Sequence, residues 1–125
     1  MATPIIIVFE KQPRWVPELQ WQFVDHDVRV RACCSTRDIE QHFNSTLKCV
    51  VVLAMSAGAA ECLQFLGLCE GRWFFPPVIV IGSKQTAELE WPLRELGAFA
   101  FVEDRIGGEE LARICRSQFR ATLGG

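Results

Sequence analysis

Gly97-Ala98-Phe99-Ala100-Phe101-Val102-Glu103-Asp104-Arg105-Ile106 runs from a residue that stops helices, through a short apolar segment, into an acid-acid-base turn. The apolar part, residues 99–102, is too short for a helix and carries two aromatic residues and a β-branched one, so it reads as a strand. Immediately upstream, Leu89, Leu93 and Leu96 recur at helical spacing before Gly97, with Pro92 beginning, kinking or shortening that helix. Further upstream, Pro77-Val78-Ile79-Val80-Ile81 is a continuous apolar run, the pattern of a parallel strand buried on both faces. A strand, a helix and a second strand in this order form the unit from which parallel sheets are built.

The same alternation extends to the rest of the chain. Residues 5–9 and 49–53 are uninterrupted apolar runs and read as central strands, whereas residues 28–33 alternate, with Arg29 and Arg31 turned to one side as on an edge strand. Trp15, Val16, Leu19 and Phe23 recur at helical spacing, with Pro17 tolerated in the first turn. Ser35 or Thr36 caps a short second helix with Ile39 and Phe43 four apart. Ala59, Cys62, Leu63, Leu66 and Cys69 form the face of a third helix that Gly71 ends, and Leu111, Ile114, Cys115 and Phe119 form the face of the last. Five strands alternating with five helices give an α/β fold, a parallel sheet covered by helices on both faces.

All 125 residues fit one domain, residues 1–125, and at 50% hydrophobic and 22% charged they suffice for an ordinary core. The net charge of -2 and pI near 5.7, with Arg and Lys scattered, lack the basic stripe that binding to a phosphate backbone requires, so no nucleic-acid partner is expected. The longest apolar run, residues 49–55, is far too short to span a bilayer, and Met-Ala-Thr-Pro at the start has no secretory pattern. No membrane partner and a cytoplasmic location are expected. The six cysteines sit within apolar segments and read as buried thiols rather than a disulfide framework. Cys62 and Cys69 share a helical face without the further ligands that zinc needs.

The order of elements, the Pro77-Val78-Ile79-Val80-Ile81 strand and the Gly97-Ala98-x-x-Phe101-Val102 opening of the last strand together resemble the receiver domain of two-component response regulators. Positions 82 and 104 lie 22 apart, about the separation that receivers show between the hydroxyl residue after strand four and the lysine after strand five. The resemblance covers essentially the whole chain. It implies a flavodoxin-like (βα)5 doubly wound parallel five-stranded sheet of strand order 2-1-3-4-5. It also implies a set of chemical groups at the carboxyl ends of the strands, where open α/β sheets hold ligands. Receivers carry there an acidic pair for Mg²⁺, an acceptor Asp, a Thr or Ser, and a Lys.

This chain departs from that set. The acidic pair falls on Phe9 and Glu10, the acceptor on Leu53 or Ala54, the hydroxyl on Gly82 with Ser83 displaced by one, and the lysine on Asp104. An apolar side chain supplies no nucleophile, so these seven positions describe a degenerate phosphorylation pocket. Nearby Ser56 reads as an ordinary serine. Two readings of the remnant stand side by side. Glu10, Glu103 and Asp104 form solvated ion pairs with Lys11, Lys84 or Arg105, or Glu10 and Asp104 hold a divalent cation. Phe101 takes the place of the aromatic residue that in receivers changes rotamer with the hydroxyl, and Gly82 opposite it leaves that switch frozen.

The expected function is accordingly that of a pseudo-receiver which takes up no phosphoryl group, has no enzymatic activity and no cofactor, and serves as a regulatory protein-interaction module in two-component-type signalling. Its partner would be a histidine kinase, an effector domain or a second copy. Trp91, Phe99, Phe101 and Arg105 mark the candidate interaction face, and Trp15, Trp73, Phe74 and Phe75 a second concentration of aromatics. A flavodoxin-like small-molecule or redox-binding domain is the alternative, set back because the stretch from Glu10 to Trp15 has no Thr, Ser or Gly and Pro13 lacks an amide donor. An enzyme on this fold would have only His26 and His42 as imidazole bases, and no Gly-x-Ser-x-Gly elbow occurs.

Overall fold

A computed structural model describes residues 4–43, 48–69 and 76–123 of the chain. Five parallel strands, β1 (Ile5–Phe9), β2 (Arg29–Cys33), β3 (Cys49–Ala54), β4 (Val78–Gly82) and β5 (Ala100–Glu103), form one sheet in the order β2-β1-β3-β4-β5. Helices α1 (Trp15–Gln22), α2 (Thr36–Phe43), α3 (Ala59–Cys69), α4 (Glu90–Glu95) and α5 (Gly108–Leu123) connect and flank them. This is the flavodoxin-like doubly wound arrangement expected from the sequence.

The three continuous apolar runs occupy the middle of the sheet because every one of their side chains has a core to enter. All residues of β1, β3 and β4 are buried. Alternate side chains separate into two cores. Ile7, Phe9 and Leu53 pack with Ile39 of α2, Phe65 of α3 and Leu93 of α4. On the opposite face, Ile6, Val8 and Val52 pack with Trp15 and Leu19 of α1 and with Leu111 and Cys115 of α5. β2 lies at one edge, with Arg29 and Arg31 exposed, so it carries charge where an unpaired ladder would otherwise invite another chain.

Small departures have local causes. β3 and β4 each run one residue beyond the expected strands, to Ala54 and Gly82, because those residues still pair with neighbouring strands. β5 begins at Ala100, although the Phe99 amide already donates to the Val78 carbonyl at 2.8 Å. α4 is only six residues long and follows a 3-10 helix over Lys84–Leu89; Pro92 falls in its first turn, where no intrahelical bond is lost. Gly97 then takes a positive φ of 111°, as expected for the residue that ends a helix. Gly71, Trp73, Phe74 and Phe75 lie outside the described residues, as does the side chain of Phe43.

Five of the six cysteines are buried and all six are free, but Cys34 is exposed, correcting its reading as a buried thiol. It follows the last residue of edge strand β2 and so turns outward where the sheet ends. Burial pushes the thiols of Cys49, Cys62 and Cys115 up to about 12 and, with the nearby charge of Asp38, that of Cys33 to about 11. These four are packing groups, protonated at neutral pH.

Candidate functional site

The carboxyl ends of β1, β3, β4 and β5 border two adjoining cavities of about 450 and 350 Å³ that share Arg14, Trp15 and Ser56 as a common wall. Glu10 lies in the larger and Asp104 in the smaller.

Glu10 is the one buried charged residue among the described residues, at 6% exposure. Its carboxylate faces the start of α1. Oε1 accepts from the backbone amides of Arg14 at 3.2 Å and Trp15 at 3.0 Å, and Oε2 from that of Val16 at 3.0 Å. The first amides of a helix have no partner within it, and a carboxylate there also meets the positive end of the helix dipole. Arg14, at the cap position, makes no side-chain cap of its own, so Glu10 supplies from outside the helix what a capping residue ordinarily would.

This arrangement bears on the ion readings. With both oxygens committed to amides, Glu10 is poorly disposed to hold a cation, and it lines the larger cavity whereas Asp104 lines the smaller. Among the described residues no three His, Cys, Asp or Glu side chains converge as metal ligands. The residues present do not fit a resident Mg²⁺. The ion pairing is also distributed differently from the expectation. Lys11 approaches Glu61 of α3 at 3.9 Å, and no ion pair among the described residues joins Lys84, Glu103 or Arg105 to the rim. The Arg14, Trp15 and Val16 amides are likewise unavailable to a flavin phosphate.

The positions to which the resemblance assigns the acceptor are apolar and buried. Leu53 and Ala54, 0% and 2% exposed, end β3 inside opposite cores, and the Ala54 carbonyl accepts from Cys62 Sγ at 3.8 Å. Phe9 lies beside Leu53 in the same register and is fully buried. Ser56 stands just beyond, exposed on the cavity wall.

At the end of β4 an aromatic ring takes the space a side chain would need. A Cβ built on Gly82 would stand 2.3 Å from Cζ of Phe101 and 2.7 Å from Thr86 Oγ1. Phe101, paired with Val80 on β4 and half-buried against the α4-side core, reaches along the strand so that its ring tip occupies the space a side chain at Gly82 would need. Ser83 is turned to another task. Its Oγ accepts from the Gln85 amide at 3.2 Å while its own amide donates to Thr86 Oγ1 at 2.8 Å, a reciprocal cap on the 3-10 helix.

Asp104 follows β5 and is held by its backbone, its amide donating to the Gly82 carbonyl at 2.7 Å and its carbonyl accepting from Arg14 Nη2. Arg14 also stacks on the Trp15 ring, 4.3 Å from its centroid. Sequence reasoning passed over Arg14 because its partner lies 90 positions away and is a backbone carbonyl, which no residue type announces. Of the candidate interaction face, Trp91 is 75% and Phe99 48% exposed, and Arg105 is exposed beside them in sequence after β5. Phe101 faces inward, and Trp15 is buried in the α1-side core. Trp21 and Val24, at and beyond the end of α1, form an exposed apolar pair that the sequence reading did not single out.

No family model matches the sequence, and no curated protein matches it. Solved structures do. The chain is similar to the signal receiver domain of a putative Luxo repressor protein from Vibrio parahaemolyticus, with a TM-score of 0.81 and 17% identity over 98% of this chain and 95% of that one. It is similar to the receiver domain of the TMAO respiratory system response regulator TorR, with a TM-score of 0.77 and 16% identity over 91% of this chain and 94% of that one. A streptococcal protein from a family of redox sensors evolved from two-component response regulators matches with a TM-score of 0.77 and 13% identity, over 95% of this chain and 52% of that one. The chain has the fold of response-regulator receiver domains.

Proposed function

We propose that this domain is a pseudo-receiver of two-component-type signalling, a regulatory module that docks on another protein without taking up a phosphoryl group on an aspartate. The observation that carries the reading is the state of the strand ends. Leu53 and Ala54 present no nucleophile, Glu10 is spent on the amides of α1, and Phe101 fills the space beside Gly82 where a hydroxyl would act. The receiver architecture remains intact around them. A fold kept while its reaction groups are replaced is put to work through its surface, and Trp91 and Phe99 give that surface exposed aromatic anchors next to β5. A histidine kinase, an effector domain or a second copy of the chain is the partner class. The reading needs no cofactor and no enzymatic activity, and it fits a cytoplasmic setting; no described helix is long and apolar enough to cross a membrane.

Titration with Mg²⁺ and then beryllofluoride, followed by amide NMR, tests it. No saturable shift is expected at Glu10, Ala54, Gly82 or Asp104. A saturable response to beryllofluoride would sink the reading. On the docking side, changing Trp91 and Phe99 to serine should leave the fold unchanged and abolish association with the kinase or effector; equal association would move the interface elsewhere.

A further inference from the structure

Arg14 and Asp104 border the same cavity of about 350 Å³ with opposite charges, yet no ion pair within 4 Å joins their side chains. The guanidinium gives one N–H to the Asp104 carbonyl and lays its plane on Trp15, which leaves further donors unspent. The Asp104 carboxylate has no hydrogen bond among the described residues, and neither has the Ser56 hydroxyl on the shared wall. Buried Met55 and Ile81 supply apolar lining beside them. An unpaired cation, an unpaired anion and a free hydroxyl around an apolar lining are matched by a ligand carrying both charges close together.

We propose that this cavity binds a small zwitterion of the α-amino acid class. Its carboxylate sits on Arg14 and Ser56, its ammonium on Asp104, and a modest apolar side chain against Met55 and Ile81. Single-charge ligands fit less well. Phosphate or acetate meets the Asp104 carboxylate, and a simple amine meets the Arg14 guanidinium, each a like charge at close range. Charge-assisted hydrogen bonds at both ends are the strong kind, and two together fix the orientation of a small molecule. The site would give the domain an input in place of phosphorylation. It stands apart from the docking reading, which concerns the α4–β5 surface.

The test uses the full chain and amide and indole NMR, with L-amino acids added singly and acetate, methylamine and inorganic phosphate as single-charge probes. At least one amino acid is expected to shift the Trp15 indole and the Ser56 amide saturably, while the single-charge probes at equal concentration do not. Asp104→Asn preserves the fold, since the bonds that hold this residue come from its backbone. It should weaken the amino acid about ten- to hundred-fold while strengthening acetate. The proposal is overturned if no amino acid gives a saturable shift, if acetate or phosphate binds as well as the amino acid, or if Asp104→Asn leaves amino acid binding unchanged.

Discussion

Two corners of the strand-end rim are built in opposite ways. At the β1 corner a charged group is buried and satisfied, since Glu10 holds its carboxylate on the first amides of α1. At the β4–β5 corner Gly82 carries no side chain, and the ring of Phe101 fills the space that one would need. One corner spends a carboxylate on a helix start, and the other fills its space with an aromatic ring. Both are fixed arrangements, and their energetic signatures differ.

The largest effect is expected at the first corner. Glu10→Ala should lower stability by about 3 kcal/mol in urea unfolding, because three helix-start amides lose a charged acceptor in a buried setting. Glu10→Gln, which keeps one oxygen, should cost roughly half of that. If alanine costs under about 1 kcal/mol, the carboxylate is not the cap of α1 and the contrast between the corners disappears.

Next comes the second corner. Gly82→Thr should cost about 2 kcal/mol, since its Cβ would overlap Phe101, and should drive that ring outward. Combined with Phe101→Ala, the loss should fall short of the sum of the single losses by about 1 kcal/mol or more. Strict additivity would mean that the ring and the glycine do not share that space.

How far the sequence foretold these corners depends on what each feature requires. Strand positions came within a residue because β1, β3 and β4 need only apolar side chains in unbroken runs, and the two-sided burial follows from that. The apolar character of Leu53 and Ala54 was equally legible, being a matter of residue type. Glu10 was identified, but its role was not, because its partners are backbone amides whose direction depends on the path of residues 11–14. The same limit hid the bond from Arg14 to the Asp104 carbonyl. Phe101 was expected opposite Gly82, but it pairs with Val80, and the overlap of its ring with the space at Gly82 exists only in three dimensions.

Smaller effects sharpen the comparison. Thr86→Ala removes the acceptor for the Ser83 amide and should cost about 1 kcal/mol, with hydrogen exchange at Ser83 rising; unchanged exchange would remove the reciprocal cap from the account. Lys11→Ala should change stability by less than about 0.5 kcal/mol, because its contact with Glu61 spans 3.9 Å between side chains 59% and 44% exposed. A larger loss would make the β1 corner dependent on surface charge as well as on the buried carboxylate.

The strand order carries a consequence for how the chain reaches its structure. β1 pairs with β3 as well as with β2, so the centre of the sheet closes only after the chain has travelled through β2 and α2. Loop-closure entropy is met before that pairing returns any burial. The meeting of Ile5–Phe9 with Cys49–Ala54 is therefore the step expected to set the pace of folding. Changes in those strands slow folding, and changes in short α4 or at the edges chiefly hasten unfolding.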